Sequence, residues 1–239
     1  MVNDFETRFG GIARLYSAGG LQRLRRAHVC VVGIGGVGSW AVEALARSGV
    51  GRLTLVDMDD VCVSNINRQL PAMDGTIGQS KVDVMAQRIR AINPECDVHR
   101  FNECFHPSTA EKILTPRYDF VLDAIDDVPN KCLLIARCCE LTIPVITSGG
   151  AGGRRNPAEV QLTDLALTTH DGLLQQVRKK LRDAYGFPRE PKKTFNVPCV
   201  FSLEARQNCD RDYGTASFVT GTFGFLAAAH VVAAIASVS

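Results

Sequence analysis

The chain has 239 residues, which at about 100–200 residues per domain allows one large domain or two small ones. Apolar residues make up 46% and charged residues 22%, a balance that excludes a disordered chain, collagen and a coiled coil. The net charge of +2 is too mild to identify a nucleic-acid partner, so any such case rests on local clusters.

Nine cysteines are scattered along the chain and no C-x-x-C occurs. This pattern excludes a disulfide-built scaffold and reads as a reduced, cytoplasmic compartment with no structural zinc. The opening MVNDFETRFGG has no apolar core of a secretory signal.

Taken in chain order, AHVCVVG (27–33) is a short apolar run ending in glycine and predicts a buried strand. SWAVEALARSGV (39–50) has apolar residues at helical spacing and Gly49 near its end as a helix stop. RLTLVD (52–57) predicts a second strand, and KVDVMAQRIRAINP (81–94) a helix stopped by Pro94. A strand over DVHRFN, a short helix over STAEKIL and a clear strand over YDFVLDAID (118–126) follow. Then come a helix over 130–141 and a strand over IPVITSGG (143–150). This alternation predicts an α/β, Rossmann-like, doubly wound and mainly parallel sheet with helices on both faces.

Beyond residue 153 the pattern loosens. EVQLTDLA (159–166) reads as an edge strand, 171–185 as a helix, and 186–198, with three prolines, as an exposed loop. The run 218–239 is nearly uncharged and just long enough to span a bilayer, but no flanking charge fixes a topology. We expect it as a buried helix at a subunit interface. The expected organisation is a single domain over 1–239, with a nucleotide-binding core at 1–153 and a substrate and dimer elaboration at 154–239.

Gly33-Ile-Gly35-Gly36-Val-Gly38 sits between a strand and a helix, where glycines let backbone N–H groups approach a phosphate at the positive helix end. Alone, the fingerprint fits a dinucleotide as well as ATP. Asp57 and Asp59 stand about 20 residues on, where a ribose-binding carboxylate belongs, although Asp57 also suits the capping of a strand end. The chain then runs through SNINRQ (64–69) and GQSK (78–81), which brings Arg68 and Lys81 to the same sheet edge. Hydride transfer needs no such cationic pair. Phosphoryl or nucleotidyl transfer does, because charge builds on the departing pyrophosphate. A carboxylate in the 123–127 segment suits Mg²⁺ held through a phosphate-rich shell.

In their order and spacing, GIGGVG, DMD, SNINRQ, GQSK and LDAIDD resemble the adenylating domain of ubiquitin-activating-enzyme-like proteins, which include bacterial activators of sulfur-carrier proteins. The motifs cover about residues 8–153. The closer likeness is to one branch, the dehydratases of threonylcarbamoyladenosine in tRNA. It rests on RFGGIARLY, INRQLPA, TSGGAGGRRNP, CVFSLEA and VTGTFGF.

The resemblance implies ATP, Mg²⁺, carboxylate adenylation and a cyclising loss of water beside the anticodon, with release of AMP and pyrophosphate. Gly33, Gly35, Gly36 and Gly38 would line the triphosphate and Asp59 would hold the ribose. Asn67 would make a weaker contact, Arg68 and Lys81 would neutralise the β and γ phosphates, and Asp126 would bind Mg²⁺. Arg14, with Arg8 as runner-up, would be lent to the partner's site in a homodimer.

The resemblance leaves a sulfur-transfer partner, a cysteine desulfurase or sulfur acceptor, open. Asn65 reads equally as an Asx-type turn, Asp123 as structural, and Cys199 as the thiol nearest the site by motif. Relatives usually carry a longer insertion after Ala205. The alternatives are an adenylating activator of a ubiquitin-like sulfur carrier, which usually carries paired C-x-x-C zinc ligands, and an NAD-dependent dehydrogenase.

Arg178, Lys179, Lys180, Arg182, Arg189, Lys192 and Lys193 cluster against only Asp183 and Glu190. They read as a surface tracking tRNA phosphates, extended by Arg154 and Arg155, or as a solvated helix end. Tyr185, Phe187 and Phe195 are the aromatics available there for base stacking.

Overall fold

The computed structural model describes residues 4–191, 193–206 and 214–237. Seven strands form one sheet in the order β3-β2-β1-β4-β5-β7-β6. The strands are β1 (His28–Val32), β2 (Arg52–Val56), β3 (Asp97–Phe101), β4 (Phe120–Asp123), β5 (Val145–Ser148), β6 (Val160–Asp164) and β7 (Pro198–Ser202). All neighbours pair in parallel except edge strand β6, which runs antiparallel to β7.

The helices are α1 (Asp4–Arg26), α2 (Gly38–Arg47), α3 (Lys81–Ile92), α4 (Ala110–Leu114), α5 (Val128–Glu140), α6 (Gly172–Ala184) and α7 (Ser217–Ala236). Both sheet faces are covered, and the strand period of two shows why. Val29, Val31, Leu53 and Leu55 pack with Leu45, Met85, Ile89 and Phe223 from α2, α3 and α7. The alternate residues Cys30, Val32 and Val121 pack with Ile113, Leu134, Val177 and Leu181 from α4, α5 and α6. The expected doubly wound α/β architecture is the one observed.

Two elements differ from the sequence reading. Helix α1 carries Gly10, Gly11, Gly19 and Gly20, which depress helix propensity. It forms because Phe5, Phe9, Leu21 and Leu24 are buried, and it kinks at Ser17, whose φ is 70°. Strand β7 starts at Pro198, where the expected loop ends, and runs through a motif to which no element was assigned; Cys199, Val200 and Phe201 are buried between β5 and β6.

Helix α7 is long and apolar enough to cross a membrane, but half of it is buried inside the chain. Its buried side packs on α2, α1 and the sheet of its own subunit. Phe218 and Phe225 remain exposed.

Strand β1 has β2 on one side and β4 on the other, so the chain winds outward in both directions from this point. A cleft therefore opens at the C-terminal strand ends, where α/β sheets bind ligands.

Candidate functional site

That cleft is a cavity of about 1130 Å³, lined by the glycine turn, by the loops after β2, β4 and β5, and by the start of α6. Gly33 holds φ +90°, and a Cβ there would lie 2.7 Å from the Ala124 carbonyl oxygen. Gly33, Gly35 and Gly36 line the cavity. Gly38 stands outside the lining, contrary to the expectation that all four glycines face the phosphates. A Cβ on Gly38 would fall 1.8 Å from the Gly33 carbonyl oxygen, so its bareness lets α2 start against β1.

The carboxylate of Asp57 braces this turn. Its Oδ2 accepts the Ile34 N–H at 2.6 Å and its Oδ1 accepts the Asp59 N–H at 2.9 Å. Burial pushes its pKa above the ordinary carboxylate value, and the two N–H donors offset part of that. Asp59, more exposed, pairs with Lys81 Nζ at 2.8 Å. Lys81 is buried at the start of α3 and lines the cavity. An ammonium has three donors, so Lys81 keeps two beyond the one given to Asp59.

Arg68 also lines the cavity. It donates from Nη1 to the Ser64 carbonyl at 2.7 Å and to Asn67 Oδ1 at 3.0 Å. Its own carbonyl accepts from Trp40 Nε1 at 3.0 Å and from the Thr220 hydroxyl at 3.3 Å, which ties the arginine to α2 and α7. Asn67 is not in the lining itself; its Nδ2 donates to the carbonyl of Thr215, which is, at 2.9 Å. Asn65 lines the wall instead, and its side-chain oxygen reaches back to accept the Cys62 N–H at 3.2 Å, a helix-start bond rather than an Asx-type turn.

Asp126 is exposed on the cavity rim and takes no hydrogen bond or ion pair among the described residues. Asp127 caps α5 by accepting the Asn130 N–H at 2.9 Å. Asp123 is wholly buried and structural, as expected. Among the described residues no three His, Cys, Asp or Glu side chains cluster as a protein-only metal cage.

Arg14 is exposed on α1 and does not line this chain's own cavity. Arg8 is held on the same helix by Asp4 at 2.7 Å. Cys199 is buried in β7 with burial pushing its thiol far up, and it is not in the lining; Cys62 and Cys104 are the thiols that line the wall. Gln69, with its Oε1 buried and unpaired, also lines the cavity. Cys104 lies in no stretch whose spacing points to chemistry. Gln69 ends the SNINRQ run and was legible as its neighbour only.

Helix α6 enters the cavity wall with Gly172, Leu173 and Gln176. Its later turns border a separate depression of about 510 Å³ lined by Arg178, Lys179, Arg182 and Arg189. Arg178 donates to the Thr168 hydroxyl, Arg182 to the Pro188 carbonyl at 3.0 Å, and Arg189 to Asp183 at 2.8 Å. These arginines brace the loop, whereas Lys179 and Lys180 form no ion pair among the described residues. Lys192 lies outside the described residues. The aromatics are not a stacking platform: Phe195 is buried and packs edge-on against Phe187 at 5.0 Å, and Tyr185 joins the same core. Arg154 does not extend the basic surface either, being buried against Asp171 at 3.1 Å. The segment after Ala205 that carries the insertion in relatives falls largely on 207–213, outside the described residues.

The chain is 50% identical to the tRNA threonylcarbamoyladenosine dehydratase of Haemophilus influenzae, over 97% of this chain and 94% of that protein. The crystal structure of Escherichia coli tRNA N6-threonylcarbamoyladenosine dehydratase in complex with ATP superposes with a TM-score of 0.94 at 47% identity, covering 98% of this chain and 95% of the other. The complex of the same enzyme with AMP gives the same score. The ThiF family model matches residues 11–239, and the chain belongs to the ThiF family.

Proposed function

We propose that this chain uses ATP to adenylate and cyclise threonylcarbamoyladenosine in tRNA beside the anticodon. The observation that carries the reading is the convergence of Arg68, Lys81 and Asp126 on one cavity with the glycine turn. The likeness to a dehydratase crystallised with ATP and with AMP supports the nucleotide.

A carboxylate oxygen of the threonine side chain attacks the α-phosphorus, the bond to the bridging β-oxygen breaks, and pyrophosphate leaves. The product is an acyl-adenylate. A nitrogen or oxygen of the same side chain then attacks the acyl carbon and gives up its proton, and AMP leaves with the former carboxylate oxygen. The substrate loses the elements of water. Because the second nucleophile is intramolecular, proximity carries much of that step.

Gly33, Gly35 and Gly36 present backbone to the phosphates, and Asp59 holds the ribose hydroxyls while anchoring Lys81. Arg68 and Lys81 meet the charge that accumulates on the departing pyrophosphate. Asp126 fits Mg²⁺, which in nucleotide sites takes one or two carboxylates plus phosphates and waters rather than a protein cage. The metal, when bound, shields the same charge. We assign Arg14 to the partner's site in a homodimer, in keeping with its exposure on α1 outside its own cavity. The exposed Leu15, Phe218 and Phe225 are apolar surface suited to that contact. We assign Lys179 and Lys180 to tRNA phosphates, since α6 leads from the cavity wall to their surface. The chain then acts in the cytoplasm as one domain.

Incubation with ATP, Mg²⁺ and tRNA carrying the modified nucleoside, followed by nucleoside mass spectrometry, tests the reading. A product lighter by one water is expected. No mass change, together with tight binding of NADH and indifference to ATP, rejects it. ATP–pyrophosphate exchange that needs a carrier protein and ignores tRNA would favour the carrier-activating branch.

A further inference from the structure

Beneath the turn that carries Asp126 lies a charged pair that no step above uses. Asp123, which ends β4, and Lys131, in the first turns of α5, have wholly buried side chains, with Nζ 2.9 Å from Oδ2. Asp123 Oδ2 also accepts from the Thr147 hydroxyl at 2.6 Å, and its Oδ1 accepts the Ile125 N–H at 3.0 Å. Lys131 Nζ donates to the Ile125 carbonyl at 2.9 Å. Both polar groups of Ile125, the residue before Asp126, are therefore tied to this pair. On the other side Asp127 is fixed as the cap of α5. The backbone is pinned before and after Asp126, while the Asp126 carboxylate itself stands exposed at the rim.

Burying two ions strips both of water, and packed apolar side chains of similar volume are often as stable. Stability alone gives no reason for an ion pair at this position, whereas the geometry of the turn does. We infer that Lys131 is a positioning residue: its bond to the Ile125 carbonyl, with Asp123 as buried counter-ion, fixes where the Asp126 carboxylate stands at the cavity. The inference rests on the assignment of Asp126 to Mg²⁺ proposed above.

The test uses the full chain with Lys131→Met, with the double variant Asp123→Asn/Lys131→Met, and with Asp126→Asn. Mn²⁺ affinity of the ATP-loaded protein is read by electron paramagnetic resonance, AMP affinity by calorimetry, and folding by thermal melting. Residues one step behind a metal ligand typically carry about 10–100-fold in metal affinity, so Lys131→Met should lose that much for Mn²⁺ while AMP binds normally. The double variant should regain melting temperature, because no buried charge is left unpaired, yet keep the Mn²⁺ defect, because the bond to Ile125 is still missing. Wild-type Mn²⁺ affinity in Lys131→Met or in the double variant overturns the inference, since the pair then only balances charge. Wild-type affinity in Asp126→Asn defeats the metal assignment itself, and a defect there beside a normal Lys131→Met defeats only the positioning role.

Discussion

Gly38 has the least room of any residue in the glycine turn, with the Gly33 carbonyl oxygen 1.8 Å from the site of a Cβ. Backbone cannot swing aside as a side-chain tip can, so Gly38→Ala must push α2 off β1. Overpacking typically costs about 1–3 kcal/mol, and we expect at least that from denaturant melts, with loss of ATP affinity as the turn shifts. Gly75→Ala is the control: nothing lies within 4 Å of its Cβ, so it should stay within about 0.5 kcal/mol. Equal melting of the two variants would contradict the packing role. The turn glycines were legible because a strand, a tight turn and a helix follow in sequence, but their division into three lining residues and one packing residue was not. That division depends on how closely two backbones approach, which no motif spells out. Lys131 escaped notice for a similar reason: in the sequence it is a lysine in a helix, and only the packing of α5 on β4 buries it.

Strand β1 carries a titratable group in the core. The His28 imidazole bonds to the Thr54 hydroxyl at 2.8 Å and packs edge-on to Tyr118. Burial, with Arg52 and His99 nearby, lowers its pKa to about 4, against partial opposition from Asp119. The unfolded chain therefore binds a proton near pH 6.5 that the folded chain refuses. The stability tied to neutral His28 is complete above about pH 6.5 and drains as pH falls toward 4, on the order of 1–2 kcal/mol. His28→Gln should flatten that part of the melting-temperature profile relative to the native chain; an unaltered acid limb would exclude His28 as its source. Elements were read from the sequence as well as their apolar runs allowed. β1, β2, β4 and β5 are short, β-rich and buried on both faces, and they stood out. α1 did not, because its four glycines hide a helix that tertiary contacts of Phe5, Phe9 and Leu24 stabilise. β7 did not, because five residues in a proline-bearing stretch gain their strand character only from β5 and β6 on either side.

At the scale of the whole molecule, the cavity and the basic depression are joined by α6. If the lysines track phosphates, Lys179→Gln with Lys180→Gln should weaken tRNA binding and reduce the slope of log affinity against log salt by about one for each phosphate no longer neutralised, with ATP affinity unchanged. An unaltered slope removes the patch from the account. The assignment of Arg14 across a dimer is open to complementation. Arg14→Ala and Asp126→Ala chains should each be inactive alone, and activity should reappear on mixing, because a hybrid contains one site with both residues. Mixtures that stay inactive while hybrids form would show that Arg14 serves no partner site.

Helix α7 has a consequence for synthesis. The sheet face it shields is built from β4, β5, β6 and β7, strands made before it, and α2 waits for the same partner. A growing polypeptide therefore leaves the ribosome with an oily flank bare until residues 217–236 have emerged, and during that interval chaperone capture competes with clumping.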